Sequence, residues 1–341
     1  MKIFLTGGAG YIGSHILTEL LARGWDACVY DDFSNSSPKA LDRVAQLSNR
    51  QFERVTGDIR DKTALKDALQ AFQPDAVIHL AGLKAVGEST EKPLLYFEVN
   101  VQGSIALLEA MEETGVDHVV FSSSATVYGT PKYVPQDEAH PIAPESPYGR
   151  SKAFVEDVMR DWITSGKGQS AVILRYFNPA GAHASGQIGE DPNDIPNNLM
   201  PFITQVAVGR RKELAVFGDD YETRDGTGER DYIHVIDLAR AHLAALDYAV
   251  GFKGHDTINI GTGETASVLE MVAAFEDSSG QKIPYRITDR RSGDVPIYLA
   301  DPTKARDVLG WSAEFTLADM CGSAWHWQSA IPRAMVAKDL L

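Results

Sequence analysis

Apolar positions in the first half of the chain fall into two alternating textures. Short β-branched or apolar runs, 2-KIFLTG, 27-ACVYDD, 53-ERVTGD, 76-AVIHLAG and 118-HVVFSSSATVYG, read as strands. Between them lie amphipathic stretches such as 13-GSHILTELLARG and 100-NVQGSIALLEAMEETG, the second closed by Gly115, a helix stop signal. The strand runs lack a clean polar–apolar alternation, so both of their faces are expected to be covered. Strands of that kind separated by helices predict a parallel sheet with helices on each side, the doubly wound α/β pattern.

A further strand, 171-AVILRYFN, precedes a change of texture. Residues 179–230 are rich in Gly, Pro, Asn and Asp, with one helical piece near 199-LMPFITQVAVG. The pattern predicts a first domain over 1–178, with a return of the chain to it over 231–260, where 231-DYIHVIDLARAHLAALDYA reads as a strand and a helix. A smaller mixed α/β domain then occupies 179–341. Within it 325-WHW reads as part of a core-packing helix, and the tail 333-RAMVAKDLL carries no signal.

Composition narrows the class. The chain has 341 residues, 44% hydrophobic and 23% charged, which suits two domains with a real core. No apolar run is long enough to predict a membrane helix, and the first one, Ile3-Phe4-Leu5, runs straight into glycines, so no signal peptide is expected. Cys28 and Cys321 are far apart and suggest neither a disulfide framework nor a zinc site, which favours a reducing cytoplasm. The histidines, His79, His183 and His234 among them, show no metal-ligand spacing and are assigned to packing. A net charge of −15 argues against nucleic-acid binding. It also means that an anionic ligand must be drawn in by local arginines and helix N-termini.

Two motifs carry chemistry. In 6-TGGAGYIGSH, directly after the first strand, Gly7, Gly10 and Gly13 are spaced three apart and open a helix. A tight turn, close backbone approach to a pyrophosphate and close helix–strand packing all require glycine there, which predicts a Rossmann dinucleotide site. The next strand ends in Asp31-Asp32, placed to accept from adenosine ribose hydroxyls and to repel a 2′-phosphate, which favours NAD over NADP. Asp58-Ile59, after the third strand, can offer adenine one polar partner and one apolar face.

The second motif lies at the carboxyl edge of the fifth strand, in 121-FSSSATVYG, where Ser124 presents a hydroxyl. Tyr148 follows 24 residues later behind Pro147, a helix-start residue, and Lys152 lies one turn on, on the same helix face. The three can converge on a nicotinamide. A tyrosine acting as base near pH 7 must drop by roughly 3 units from about 10, which corresponds to about 4 kcal/mol. The ammonium of Lys152 and an oxidised nicotinamide would both favour the phenolate.

The glycine motif together with Tyr-x-x-x-Lys resembles the extended short-chain dehydrogenase/reductase family. The strings 79-HLAGLKAVGES, 121-FSSSATVYG, 146-SPYGRSK, 175-RYFNPAGAH, 196-PNNLMP and 225-DGTGERDYIHV closely resemble its UDP-glucose 4-epimerase branch, over residue 2 to about residue 311. That resemblance implies a 4-epimerase that interconverts UDP-galactose and UDP-glucose, with a domain over 179–341 that binds the nucleotide sugar. It places Tyr11 and Ile12 at the pyrophosphate, and Asp31, Asp32, Phe33, Ser34, Asn35 and Ser36 around the adenosine ribose. Leu80, Ala81, Gly82 and Lys84 would reach the cofactor, with Lys84 also facing substrate, and Phe177 would lie by the nicotinamide. Tyr148 would be the base, with Ser124 and Lys152 as partners. Asn178, Asn198 and Leu199 would hold the nucleotide sugar, Phe217 would pack near uracil, and Arg230 and Arg291 would bind the diphosphate. Asp294 would take the uridine ribose, while Tyr232 and Tyr298 would complete the substrate side. One departure is Val99-Asn100, where some epimerases have two asparagines; Asn100 can be a cofactor contact or a helix-cap or core-edge residue. The resemblance also implies a homodimer, for which helices near 100–114 and 148–164 could pair.

Three competitors are weighed. A nucleotide-sugar 4,6-dehydratase would need an Asp-Glu pair where this chain has Ala125-Thr126. An epimerase for UDP-N-acetylhexosamines or UDP-pentoses is disfavoured by the bulk of Tyr298, which would crowd an N-acetyl group. A non-catalytic dinucleotide-binding regulator would be expected to lose the tyrosine or the lysine, and both are present.

Overall fold

The computed structural model describes residues 1–192, 196, 198–291 and 293–330. Asn197, which falls within the quoted 196-PNNLMP, Ser292 beside Arg291, and the tail 331–341 lie outside the described residues. The strands are β1 (Lys2–Thr6), β2 (Asp26–Asp31), β3 (Glu53–Thr56), β4 (Ala76–His79), β5 (His118–Ser122), β6 (Ser170–Tyr176), β7 (Asn178–Ala180), β8 (Leu214–Phe217), β9 (Glu229–Arg230), β10 (Tyr232–His234), β11 (Gly254–Ile260), β12 (Ala266–Ser267), β13 (Tyr285–Thr288) and β14 (Ile297–Tyr298).

Seven of them form one parallel sheet in the order β11-β6-β5-β4-β1-β2-β3. Successive side chains of a strand point to opposite faces, and here each face feeds its own core. Ile3 and Leu5 of β1, Val29 of β2 and Ile78 of β4 pack with Ile16, Leu17 and Leu20 of helix Tyr11–Ala22 and with Leu238 and Leu246 of helix Val235–Gly251. Phe4, Cys28, Val77 and Phe121 point the other way, against Leu65 and Leu69 of helix Lys62–Phe72, Leu107 and Met111 of helix Gly103–Thr114, and Met159 of helix Pro147–Thr164. Burial on both faces is the physical reason the strand runs show no alternation. The order of the strands reverses beside β1, so the crevice for a ligand opens at the carboxyl ends of β1 and β4.

The chain leaves this sheet after β6 and returns to it with β11, which pairs along its whole length with β6. The strand read near residue 232 does not join that sheet; β10 pairs with β7 instead. Beyond the sheet, β8 pairs with β13, and β9 is flanked by β12 and β14. These sit around a third core that includes Met200, Ile203, Met271, Phe275 and Met320, roofed by helix Leu317–Ala330, where Trp327 is buried and Trp325 packs at the edge.

The run 118–129 is not one strand, as its composition suggests. β5 stops at Ser122, and Ala125–Tyr128 forms a short 3-10 helix. The Ser124 side chain accepts from the Thr126 N–H at its start. A serine that caps a helical turn competes with the extended ladder, and the cap prevails here.

Candidate active site

The site is assembled from strand ends. Gly7 follows β1 with φ +71, and a Cβ there would lie 2.7 Å from the Ala81 nitrogen after β4. A Cβ on Gly13 would lie 2.4 Å from the Gly7 carbonyl oxygen, so this helix can approach the strand only with glycine at that position. Helix Tyr11–Ala22 starts at Gly10 with no side-chain cap, which leaves its first-turn N–H groups to serve an anion. These are the features a dinucleotide pyrophosphate needs, and the residues present fit it.

Asp31 is buried at the end of β2. Its carboxylate accepts from the Ala9 N–H at 2.9 Å, the Phe33 N–H at 2.9 Å and the Ser36 hydroxyl at 2.8 Å. The loop is thereby folded around one carboxylate that still has lone-pair capacity for a ribose hydroxyl. Asp32 is exposed, accepts from the Ser34 N–H and hydroxyl, and with exposed Asn35 forms the rim. Asp58 is tied to Arg60, whose guanidinium holds its carboxyl below the usual range, and Ile59 is buried in the core beside Gly103. Ile12 packs against the first core, while the Tyr11 hydroxyl donates to the Gly181 carbonyl at 2.7 Å and links the glycine turn to the second half of the chain.

Asn100 is buried and fully engaged. It accepts from the Leu83 N–H at 2.7 Å and donates to the Leu83 carbonyl at 3.0 Å and to the Ser151 hydroxyl at 2.9 Å. It therefore braces the Leu80–Lys84 loop against the helix that carries Tyr148, which matches the core-edge alternative. Lys84 itself reaches Glu190 at 3.3 Å, and Asn198 donates to the same carboxylate at 2.7 Å. Leu199 opens the helix Leu199–Ala207 next to it.

Helix Pro147–Thr164 begins with Ser146 as cap, accepting from the Gly149 N–H, and Pro147 in its first turn. Tyr148, Lys152 and Glu156 then fall on its buried face. Ser124 stands within side-chain hydrogen-bonding reach of Tyr148 and favours its ionised form, but burial is the larger effect and pushes the phenol above its ordinary value. Lys152 does not point at the phenol. Its Nζ donates to the Ser122 carbonyl at 2.8 Å and lies over the Phe121 ring at 4.8 Å. Burial pulls the ammonium down to about 8.

On the opposite side, buried Phe177 and half-buried Tyr298 meet edge to face. Arg230 lies over the Tyr298 ring at 5.8 Å and 3.8 Å from Asp294. Arg291 pairs with Asp294 at 2.9 Å and covers the Phe217 ring at 4.6 Å. Phe217, Arg230, Arg291, Asp294 and Tyr298 thus form one cluster from β8, β9, β14 and the segment before β14. Asn178 donates to the Asp231 carbonyl at 3.1 Å. Tyr232 is buried in the third core, its hydroxyl pushed up to about 12 by burial.

Sequence reasoning missed three residues here. Asp231 is fully buried and accepts from Thr262 N–H and hydroxyl, Gly263 N–H and Ala300 N–H. It fixes the strand ends that present Arg230 and Tyr298. Tyr221 has a buried hydroxyl with no partner among the described residues, within electrostatic reach of Asp294, Arg290, Arg230 and Arg291. Glu190 gathers Lys84 and Asn198. Glu190 and Tyr221 have no local signature; for Asp231 the signal is an acid set within the otherwise apolar run 231-DYIHVI, at the joint between β9 and β10.

A doubly wound sheet with a glycine turn after β1, and a serine, tyrosine and lysine gathered by the end of β5, defines an enzyme of the extended short-chain dehydrogenase/reductase class. The family described as GDP-mannose 4,6 dehydratase matches residues 4–324. UDP-glucose 4-epimerase of Mus musculus is 53% identical over 99% of each chain, and that of Bacillus subtilis is 52% identical over 97% of each. The crystal structure of UDP-glucose 4-epimerase from Bifidobacterium longum in complex with NAD+ and UDP superposes with a TM-score of 0.93 at 47% identity, covering 96% of this chain and 98% of that one. The chain belongs to the UDP-glucose 4-epimerase family.

Proposed function

We infer that this chain inverts C4 of a UDP-hexose, interconverting UDP-galactose and UDP-glucose, with NAD as its resident cofactor. The observation that carries the reading is the meeting of Ser124 and Tyr148 at the carboxyl edge of the sheet, across from the Arg230–Asp294–Arg291 cluster. Relatives at 53% and 52% identity that bear the epimerase name support it.

Gly7, Gly10, Gly13 and Asp31 hold the dinucleotide, with Asn100 bracing the Leu80–Lys84 loop over it. When bound, NAD supplies a reversible acceptor for the C4 hydrogen and, in its oxidised form, a positive charge that favours a phenolate; net oxidation is zero. Tyr148 takes the proton of the sugar 4-hydroxyl and returns it to that same oxygen once the ring has presented its other face. Ser124 positions that hydroxyl. Burial opposes ionisation of Tyr148, so the base forms only when positive charge is assembled around it. Arg230 and Arg291 bind the diphosphate, and Asp294 and Phe217 hold the uridine. Asn178, Asn198, Leu199 and Tyr232 support the nucleotide sugar, while the hexose itself is held loosely enough to turn over. A dehydratase would need a second acid–base pair after the serine; Ala125 is buried and Thr126 is hydrogen-bonded to Ser124.

In this reading residues 1–178 with 231–260 carry the cofactor and 179–341 the UDP-sugar. The chain works as a homodimer. Leu94, Ile105 and Phe154 are exposed on neighbouring helices, and Phe97 and Phe154 pair at 5.8 Å, an apolar face that a second copy would cover. It resides in the cytoplasm, where the free thiols of Cys28 and Cys321, both buried, stay reduced. No helix among the described residues is long and apolar enough to cross a membrane.

The test is Tyr148→Phe. The variant should fold and retain NAD through gel filtration while its turnover falls by two or more orders of magnitude, the range lost with a general base. Turnover close to that of the parent would remove the phenolate from the mechanism.

A further inference from the structure

Beneath the catalytic residues runs a buried polar chain that the proposed chemistry does not use. Glu156 lies one turn beyond Lys152 on the buried face of helix Pro147–Thr164. Its Oε1 accepts from the Ser123 hydroxyl at 2.6 Å and from Arg175 Nε at 3.0 Å. Its Oε2 accepts from Arg175 Nη2 and, at 2.8 Å, from Arg160 Nη2. Arg175 Nη1 donates to the Tyr128 hydroxyl at 3.1 Å, which donates in turn to Asn259 Oδ1 at 2.6 Å. Glu156 is 1% exposed and Arg175 2%.

An ion pair this deep is a poor device for stability alone. Each ion forfeits several kcal/mol of hydration, and packed apolar side chains of similar volume are often as stable. Its placement points elsewhere, because four of its members lie beside residues of the reaction centre. Ser123 precedes Ser124, Tyr128 ends the short helix that Ser124 caps, Arg175 lies two residues before Phe177, and Glu156 four after Lys152.

We propose that Glu156, held by Arg175, is a positioning residue that keeps Lys152 a cation against the Ser122 carbonyl and fixes Ser123, and with it Ser124, beside Tyr148. The inference deepens the epimerase reading and rests on it for its activity readout.

The charges around Lys152 support this. Burial pulls the ammonium down, and Glu156 pulls it back up. His79 on β4 is held neutral by burial, at about 3, and His242, which shares a hydrogen bond with the Ser122 hydroxyl, at about 4. Tyr148, on the same helix, is pushed up by burial and is neutral in the free protein. Arg175 and Arg160 both face Glu156. Removing the Glu156 charge therefore lowers the Lys152 pKa, and the ammonium is lost at lower pH.

Glu156→Gln keeps the size and removes the charge. The Lys152 titration is read in the NAD-loaded protein by NMR of carbon-13-labelled lysine side chains, assigned by the signal missing in Lys152→Met. The expected result is a midpoint lower by about one unit, a tenfold change in the ionisation constant. The alkaline limb of kcat for UDP-galactose should move down with it. Ser123→Ala, which leaves the charge in place, should lower kcat without moving the midpoint, and an unchanged kcat would overturn the link to Ser124. If Glu156→Gln does not fold, Glu156→Asp, which draws the charge back from Lys152 without removing it, is read in the same way. An unmoved midpoint in either folded variant overturns the proposal and leaves the pair a structural one. A moved midpoint in a protein whose parent does not epimerise would sink the epimerase reading and leave this inference standing.

Discussion

The Tyr298 hydroxyl donates to the carbonyl of Gly129, tying β14 to the turn that follows Ser124 and its short helix. Gly129 has φ +65, and a Cβ on it would lie 2.0 Å from the Ala143 carbonyl oxygen, so the turn that aims this carbonyl needs glycine. Tyr298 is thereby held as a wall against Phe177 rather than left free to swing.

That wall predicts sugar range. Tyr298→Cys removes the ring and should raise kcat/KM for UDP-N-acetylglucosamine by about tenfold or more, equivalent to ~1.4 kcal/mol of relieved crowding. Comparison of UDP-N-acetylglucosamine with UDP-glucose as substrates checks it. No gain would break the link between this ring and the sugar pocket.

The arginine cluster predicts where affinity resides. Arg291→Ala should raise KM for UDP-galactose by about tenfold to a hundredfold with kcat little changed, as expected for uniform binding lost from a charged anchor. Its pair with Asp294 is more than half exposed on the arginine side, so thermal stability should change little. Tyr221→Phe, which removes only a hydroxyl beside this cluster, should give a smaller rise in KM. A fall in kcat with unchanged KM in either variant would contradict the assignment.

Asp231 predicts a pH trend in stability. Burial raises its carboxyl to about 6, against about 3.9 in an unfolded chain. A group raised in the folded state contributes stability that is fully present below the unfolded value and is lost as pH rises through the folded one. Chemical denaturation should therefore show a decline between about pH 4 and 6 that flattens in Asp231→Asn. Below about pH 4 the variant should also be less stable by about 2 kcal/mol, because the amide cannot accept from all of the donors that converge there, and the gap should narrow as pH rises toward 6. An unaltered slope in the variant would assign the trend to other carboxylates.

The apolar helical face predicts the assembly. Leu94→Glu and Phe154→Glu place charges on residues that are 81% and 50% exposed and should shift sedimentation from dimer to monomer without unfolding the chain. A wild-type protein that sediments as a monomer would remove the dimer from the account.

What was legible in the sequence was local. The glycine turn, the acidic end of β2 and the four-residue spacing of Tyr148 and Lys152 each depend on neighbours within one or two turns. The alternating strands and helices followed from burial on both faces of a parallel sheet. The direction of Lys152 was not legible. Its spacing places it near Tyr148, but the carbonyl left at the end of β5 is the stronger partner for an ammonium. Nor were the joints that hold the site together. Asn100 meets Leu83, Asp231 meets Thr262 and Ala300, and Glu156 meets Arg175, all from separate elements. For Glu156 a signal did exist: a carboxylate four residues past the lysine, on a face otherwise occupied by Tyr148, Ala153 and Val155. The break after Ser122 was hidden because β-branched and aromatic residues continue past it, and only the capping hydroxyl of Ser124 separates strand from turn.

The central claim is C4 inversion by a protein that keeps its own NAD. Purified protein is mixed with UDP-galactose, without added NAD, and UDP-glucose is followed by proton NMR. The account predicts conversion to an equilibrium mixture by the parent and none on the same timescale by Tyr148→Phe. No conversion by the parent, even with NAD supplied, would contradict it.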